Sequence, residues 1–241
     1  MKFLYVFSLI TLLLPACQSS STSRGKDLPS TSPSSVVAVG AMKNVMWKGQ
    51  LDGVFSTDAL SASGFYGVGP LAGLRGEIMV YDGTTYISQV QKDGSPVLNT
   101  SARATAPFFV YAEMRSWDTL SLPNEIHDLA SLEKLLDESA SESSSPFVFR
   151  LEGQIDRAII HIQNLSPGAV VSSPKEAHSG QTPFEISAST VQIVGFFSRE
   201  HQGIFTHHDT FMHLHLLCKS QNLMGHLDAV RFSRMQLLLP K

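Results

Sequence analysis

The chain has 241 residues, a formal net charge of −3 and 43% apolar residues. This length and composition suit one or two globular domains with a substantial core. Lys and Arg are not in excess over Asp and Glu, and aromatic residues are not interleaved with them. A nucleic-acid-binding protein therefore does not fit the composition.

The first residues, "MKFLYVFSLITLLLPAC", predict a targeting segment over residues 1–17. Lys2 supplies the positive charge, and the run from Phe3 to Leu14 is apolar but too short to span a bilayer comfortably. "LPAC" resembles a bacterial lipobox, in which Cys17 is lipidated and begins the mature chain; ordinary signal cleavage is the alternative. We therefore expect an exported, lipid-anchored protein of the cell envelope, on the periplasmic or extracellular face.

Residues 18–35 form a Ser/Pro-rich segment with almost nothing to bury, which predicts a tether between the anchor and a folded domain over residues 36–241. The second cysteine, Cys218, lies in an apolar run. Because Cys17 would be lipidated, we expect Cys218 to be a free buried thiol rather than half of a disulfide.

The first half of the folded domain mixes helix and hairpin signals. Val39, Met42, Val45 and Met46 recur at helical spacing, which predicts a short helix that ends in a glycine turn. "GEIMVYDGTTYISQV" predicts a β-hairpin around its "DG" pair, Asp82-Gly83. Residues 106–114 are predicted as a strand, residues 129–140 as an amphipathic helix and residues 141–146 as a loop.

The second half is dominated by strand signals. Residues 147–163 predict two strands around Glu152-Gly153, and single strands are predicted over residues 189–198 and 231–240. Residues 211–226 predict a hairpin whose polar turn is "KSQNLMG". Strands outnumber helices and are joined mostly as hairpins, so the predicted fold class is α+β, with a mainly antiparallel or mixed β-sheet and a few helices.

Three histidines in "FMHLHLLCKSQNLMGH" form a candidate metal site. On a strand, residues two apart face the same side, so His213 and His215 share a face. If the hairpin is centred between Ser220 and Gln221, His215 lies opposite His226 on the partner strand. Three converging imidazoles with a fourth position open are typical of a catalytic zinc site.

A less specific interpretation of this motif stays open. Two histidines on one strand can also be buried residues satisfied by hydrogen bonds, or a polar strip on an exposed strand, because short motifs match by chance. The histidines outside the predicted strands lie in loop-like contexts, and we expect them at the surface: His127, His178, His201, His207 and His208.

Several segments after the tether resemble the bacterial α-acetolactate decarboxylases in order and spacing: "GAMKNVMWKGQLDGVFSTDAL", "YGVGPLAGLRGEIMVYDGTTY", "FEISASTVQIVGFFS" and "HLHLLCKSQNLMGH". The most specific pieces are "GE-x-x-x-x-DG" from Gly76 to Gly83, and the H-x-H pair with a histidine eleven residues later. The resemblance implies the fold of that family and a zinc ion held by His213, His215 and His226. It also implies a catalytic glutamate beside the metal, here Glu77, with Arg75 where the family usually has aspartate.

The sequence departs from the family pattern at three places. The family's strand arginines fall on Ile159 and His161; the nearby Arg157, or His161 if protonated, is then the candidate for binding the substrate carboxylate. Pro70 stands where the family has threonine. The family also has a glutamate in a C-terminal extension, which the sequence to Lys241 does not include. For Glu77 itself, the alternative is a solvated carboxylate at a strand start.

The resemblance implies zinc-dependent decarboxylation of 2-acetolactate to acetoin and CO₂. A metal ion that stabilises the developing charge makes an organic cofactor unnecessary, and Glu77 would deliver a proton to one face. Two alternatives remain: a lyase of the same fold acting on a related 2-hydroxy-3-keto acid, and a non-catalytic zinc-binding lipoprotein. The expected partner is a small-molecule substrate, and a homodimer is left open.

Overall fold

The described residues form two large antiparallel β-sheets, a two-stranded β-ribbon and three α-helices. The computed structural model describes residues 35–101, 103–140 and 145–241. The predicted targeting segment with Cys17, almost all of the predicted tether and residues 141–144 of the predicted loop lie outside these ranges. No helix in the described ranges is long and apolar enough to cross a membrane.

The first sheet has six strands. A separate two-stranded ribbon is formed by residues from the same half of the chain. In their order across the first sheet, the strands are β1 (Val37–Gly40), β8 (Phe108–Glu113), β3 (Phe65–Pro70), β4 (Glu77–Tyr81), β5 (Thr84–Val90) and β6 (Pro96–Thr100). The ribbon pairs β2 (Phe55–Ser56) with β7 (Thr105–Ala106).

The second sheet carries the predicted histidine hairpin. Its strands, in order, are β10 (Phe147–Gln163), β11 (Gln181–Phe197), β12 (Met212–Cys218), β13 (Leu223–Pro240) and β9 (Trp117–Ser121). Strand β10 also pairs with β13, so the pairings from β10 through β11, β12 and β13 close into a ring. The helices are α1 (Met42–Lys48), α2 (Leu129–Ser139) and α3 (Pro174–His178).

Three groups of buried apolar side chains hold these elements together. The largest packs Leu132 and Leu136 of α2 against the second sheet. The next group joins the two sheets, with Met79 of the first sheet and Phe196 of the second among its buried members. The third packs α1 and α3 together around Leu74. Burial of this apolar surface is the main favourable contribution to folding.

Several predictions that depend on local signals are confirmed. The fold is α+β with antiparallel sheets. Asp82 and Gly83 have φ values of 48° and 77°, as a two-residue hairpin turn with both central residues at positive φ requires, and the turn joins β4 to β5. Helix α2 begins after Asp128, whose side chain accepts a hydrogen bond from the backbone N–H of Ser131 in a capping box. Cys218 is buried and free.

Several predicted elements are wrong in their bounds. The strands predicted over residues 189–198 and 231–240 are parts of the longer β11 (Gln181–Phe197) and β13 (Leu223–Pro240). Val39 lies in β1, and α1 starts only at Met42. The hairpin turn after Cys218 is shorter than "KSQNLMG", because β13 resumes at Leu223. Residues 147–163 form one strand rather than two. Gly153 continues the strand with φ near 143°, where a Cβ atom would lie 2.1 Å from the carbonyl oxygen of Arg234. This glycine marks a close approach of β10 and β13, not a turn.

Candidate metal and catalytic site

The β12–β13 hairpin brings His213, His215 and His226 together. His215 pairs directly with His226, the register predicted from the sequence, and the strand alternation places His213 on the same face as His215. One ring nitrogen from each of the three residues lies within 4.8 Å of the others. The ring centroids are 5.1 Å apart for His213 and His226, and 5.6 Å apart for His215 and His226.

Burial keeps these three imidazoles neutral. His213 and His215 are 2% and 0% exposed. Burial, and then the neighbouring histidines, lower the pKa of His213 to about 3 and hold the pKa values of His215 and His226 well below the ordinary 6.5. Metal ligation requires the neutral form of histidine. The triad is therefore in the protonation state that a metal ion needs.

The hydrogen bonding of the triad also fits a metal ion. His213 Nδ1 and both ring nitrogens of His215 are buried and have no hydrogen-bond partner within the described part of the chain. Buried polar atoms without a partner are unfavourable and rare in native proteins. Two of the three converging histidines thus have buried nitrogens that no other group in the described ranges satisfies, and three neutral imidazoles are the donor set of a zinc site with an open position.

Glu77 is the first residue of β4 and lies beside the triad. It is 2% exposed, so the solvated carboxylate considered from the sequence is not what the structure contains. Its Oε2 is 3.6 Å from His215 Nε2, and its Oε1 accepts a hydrogen bond of 3.2 Å from the backbone N–H of Gln163. Burial raises the pKa of Glu77 well above its ordinary value near 4.5.

Gly76 explains how the chain places Glu77 at this point. Its φ is 153°, and a Cβ atom there would lie 2.4 Å from the carbonyl oxygen of Ser88 on β5. Only glycine allows β4 to begin so close to β5. In the "GE" pair of the sequence motif, the glycine is thus a steric requirement, and the residue after it carries the buried carboxyl group.

His161 extends the row of histidines onto a third strand. It pairs directly with His226 across β10 and β13, and the two ring centroids are 4.7 Å apart. Its Nδ1 is 2.7 Å from Asp228 Oδ1, and its Nε2 is 3.2 Å from the side-chain amide of Gln181. Gly225 permits this packing, because a Cβ atom there would lie 2.5 Å from the His161 carbonyl oxygen.

A cavity of about 30 Å³ lies over the triad. Such a volume holds only one or two water-sized groups, so a ligand that enters must be small or must displace flexible side chains. Its walls come from α1, α3, both sheets and the loop before β12. The lining residues are Met42, Val45, Met46, Pro70, Leu74, Glu77, Phe108, His161, Gln163, His178, His207, His213 and His226.

Two histidines in this cavity were predicted to lie at the surface, and that prediction is wrong. His178 and His207 are each only partly exposed and line the cavity. The ring of His207 is 5.1 Å from that of His226. His207 lies six residues before His213 in the same chain segment, which was a usable signal; His178 reaches the cavity through the packing of α3 on α1, which no local pattern reveals. His127 and His208 are exposed as predicted.

Arg157 and Pro70 are the remaining residues singled out in the sequence. Arg157 is on the same face of β10 as His161, but four residues earlier, which is about 13 Å along a strand. Its guanidinium pairs with Glu185, at 2.7 Å, and both side chains are more than half exposed. Arg157 does not line the cavity. Pro70 does, and it pairs with Glu77 across β3 and β4.

Comparison with known proteins gives a consistent match in sequence. The family model described as "Alpha-acetolactate decarboxylase" matches residues 38–240. A curated relative, the alpha-acetolactate decarboxylase of Methanosarcina mazei, is 26% identical over 189 residues. The match covers 74% of this chain and 60% of the relative, so the chain spans less than two thirds of that protein's length.

Solved structures match the fold. The crystal structure of alpha-acetolactate decarboxylase from Bacillus subtilis strain 168 superposes with a TM-score of 0.70 at 20% identity, over 86% of each chain. A Staphylococcus aureus protein described as of unknown function and similar to alpha-acetolactate decarboxylase gives a TM-score of 0.72 at 15% identity, over 85% of this chain and 84% of that one. At these identities the likeness establishes the architecture.

Proposed function

This chain belongs to the alpha-acetolactate decarboxylase family, and we propose that it decarboxylates 2-acetolactate to acetoin and CO₂ with a zinc ion as its cofactor. The observation that carries the proposal is the meeting of three neutral histidines, two buried and one partly exposed, with a buried carboxyl group 3.6 Å from His215. A structural zinc site has four protein ligands and no open position, so three histidines beside a protonatable group favour a catalytic site.

His213, His215 and His226 would hold the metal ion, since one ring nitrogen from each converges on the same point. Bound there, zinc supplies a Lewis acid that stabilises negative charge on the substrate's oxygens. The hairpin fixes these side chains on paired strands, so little reorganisation is required when the charge develops.

Glu77 is the proposed proton donor. Loss of CO₂ breaks a carbon–carbon bond, and the electron pair left on carbon is delocalised into the adjacent ketone as an enediolate. Burial raises the pKa of Glu77 and so favours its protonated form, which can deliver a proton to that carbon and yield acetoin. Water then restores the proton. The Gln163 backbone N–H fixes Oε1, so the proton arrives from one side.

The other residues that line the cavity limit the size and shape of the substrate that fits. His161 forms one wall beside His226, and we propose that it contacts the substrate there. Met42 and Met46 of α1 form an opposite, apolar part of the lining. Methionine side chains are unbranched and adapt easily, so they can move to admit a five-carbon substrate that exceeds the present cavity.

The test is acetoin and CO₂ formation from acetolactate by the purified, zinc-loaded full chain, corrected for the rate without protein. Wild type and His127→Ala, which changes an exposed histidine outside the cavity, should be equally active. His213→Ala/His215→Ala should fall to the rate without protein. Equal activity of the double variant and wild type would refute the proposed site.

A related lyase reaction is the second candidate, favoured by one observation: no Lys or Arg is among the residues that line the cavity in the described part of the chain. Without a cation that binds the carboxylate, the substrate must be selected by other contacts. The preferred substrate can then differ from acetolactate in its alkyl groups. Assaying 2-aceto-2-hydroxybutanoate, the ethyl homologue, beside acetolactate separates the two candidates through their kcat/KM ratio. Absence of turnover with both would favour the non-catalytic zinc-binding lipoprotein.

We further propose that the mature protein is exported and attached to a membrane through lipidated Cys17. The support is the sequence alone: Lys2, the short apolar run and "LPAC" before the Ser-rich segment. A single acyl chain binds membranes only marginally, so stable attachment implies more than one.

A further inference from the structure

Two buried polar atoms in the cavity are unaccounted for by the metal site. His178 Nε2 and Gln163 Oε1 are both buried and have no hydrogen-bond partner among the described residues. Gln163 as a whole is only 7% exposed, and both side chains line the cavity over the triad. Buried polar groups in native proteins are paired with few exceptions, so these two atoms indicate a polar ligand.

His207 supplies a third polar group on the same wall. Its ring lies against those of His226 and His213, at 5.1 and 6.3 Å, and makes no hydrogen bond to any residue in the described ranges. A neutral imidazole always carries one N–H donor. His207 and His178 can therefore each present an N–H donor to the cavity in the tautomer that protonates the nitrogen facing it, and rotation of the Gln163 amide can bring an NH₂ group in place of its oxygen.

Other donors that could meet an anionic ligand are occupied. Both ring nitrogens of His161 already have partners, Asp228 and Gln181. Arg157 pairs with Glu185 and does not line the cavity. The substrate of the proposed reaction carries one carboxylate, which must find hydrogen-bond donors inside this small space.

We propose that Gln163, His178 and His207 form the binding pocket for the substrate carboxylate, an inference that rests on the proposed function. Neutral donors suit this task. A fixed cation would stabilise the carboxylate of the ground state most strongly, whereas the charge moves from the carboxylate towards the ketone oxygen as CO₂ leaves. Only interactions that persist or strengthen in the transition state increase the rate. Three neutral donors orient the carboxylate with less ground-state stabilisation than a bidentate arginine would give.

The pocket can be tested by binding, independently of turnover. The probes are 2,3-dihydroxy-2-methylbutanoate, which is the substrate with its ketone reduced, and 2,3-butanediol, which is the same diol without the carboxylate. Both are titrated calorimetrically into the zinc-loaded full chain. Hydrogen bonds to charged groups are the stronger class, so His178→Leu/His207→Leu should weaken binding of the acid by about tenfold or more and change binding of the diol less than about twofold.

Two further variants guard against a purely structural effect. His178→Gln keeps an N–H donor at a similar reach and should restore much of the affinity for the acid that His178→Leu removes. His127→Ala, at an exposed histidine, should bind both probes as wild type does. Zinc content should be unchanged in all of these proteins.

The outcomes separate this inference from the proposed function. If the leucine variants lose acid and diol binding equally, or lose neither, the carboxylate pocket is refuted. Failure of wild type to bind the acid at all refutes it as well. If the acid is discriminated as expected but wild type does not turn over acetolactate, the pocket stands and the proposed decarboxylation fails.

Discussion

Replacing Glu77 by glutamine separates the chemical role of this residue from its structural role. Glutamine keeps the shape of the side chain and can still accept the hydrogen bond from the Gln163 backbone N–H, but it has no titratable proton. General acid–base groups typically contribute about 10²–10⁴-fold in rate. We expect Glu77→Gln to lower kcat by that factor while zinc content stays at the wild-type value.

The effect on stability follows from the raised pKa of Glu77. A group whose folded-state pKa exceeds its unfolded value stabilises the protein below the unfolded pKa, and this contribution is lost as pH rises through the folded pKa. In metal-free wild type that loss begins near pH 4.5 and approaches about 1.4 kcal/mol per pH unit. Glu77→Gln has no carboxyl group to ionise and does not lose this stability. The free energy of unfolding of the variant should therefore rise progressively above that of wild type as pH rises.

Urea unfolding of chelator-treated protein at a series of pH values measures this difference. At pH 4.5 the two free energies of unfolding should agree within about 1 kcal/mol, because the side chains are nearly isosteric. Glu185→Gln is the matched control, since its carboxylate is exposed and paired with Arg157, and such pairs contribute about 1 kcal/mol or less. The reasoning would be refuted if the difference in free energy of unfolding between Glu77→Gln and wild type did not change with pH. Full activity of the variant would refute it as well.

Three more variants test other parts of the structure. His213→Ala/His215→Ala should bind no zinc by metal analysis, because two of three converging nitrogens are gone. Gly76→Ala should destabilise the fold by more than about 1 kcal/mol in urea unfolding, since its Cβ would lie 2.4 Å from the Ser88 carbonyl oxygen at a positive φ. Cys17→Ser should move the protein from the membrane to the soluble fraction after fractionation.

For each of these three variants, a different result would contradict the prediction. Zinc retained at wild-type occupancy by the double variant would place the metal elsewhere. A Gly76→Ala protein as stable as wild type would mean that β4 can shift away from β5 without loss. Full membrane association of Cys17→Ser would show that the protein is not anchored through Cys17.

The sequence predicted the parts of the site that depend on short-range geometry. Strand alternation and the turn after Cys218 were enough to place His213, His215 and His226 together, with His215 opposite His226. The "DG" hairpin was predictable for the same reason, since its turn requires two residues at positive φ. These features arise within about fifteen residues of chain.

The surroundings of the site depend on contacts that no local pattern reveals. Glu77 is buried because the start of β4 packs near Gln163 at the end of β10, 86 residues later in the chain. His178 reaches the cavity only through the packing of α3 on α1. A glycine within an apolar stretch is equally consistent with a turn or with a close approach of strands, and Gly153 proved to be the latter.

Titrating zinc into the chelator-treated full chain, while acetoin formation from acetolactate is followed, tests the central claim most directly. We expect no activity above the rate without protein before zinc is added. Activity should then rise linearly and level off at one zinc ion per chain, and His213→Ala/His215→Ala should show no rise at any zinc concentration. Full activity of the metal-free wild type, or none after one equivalent of zinc is bound, would contradict a zinc-dependent decarboxylase built on this histidine triad.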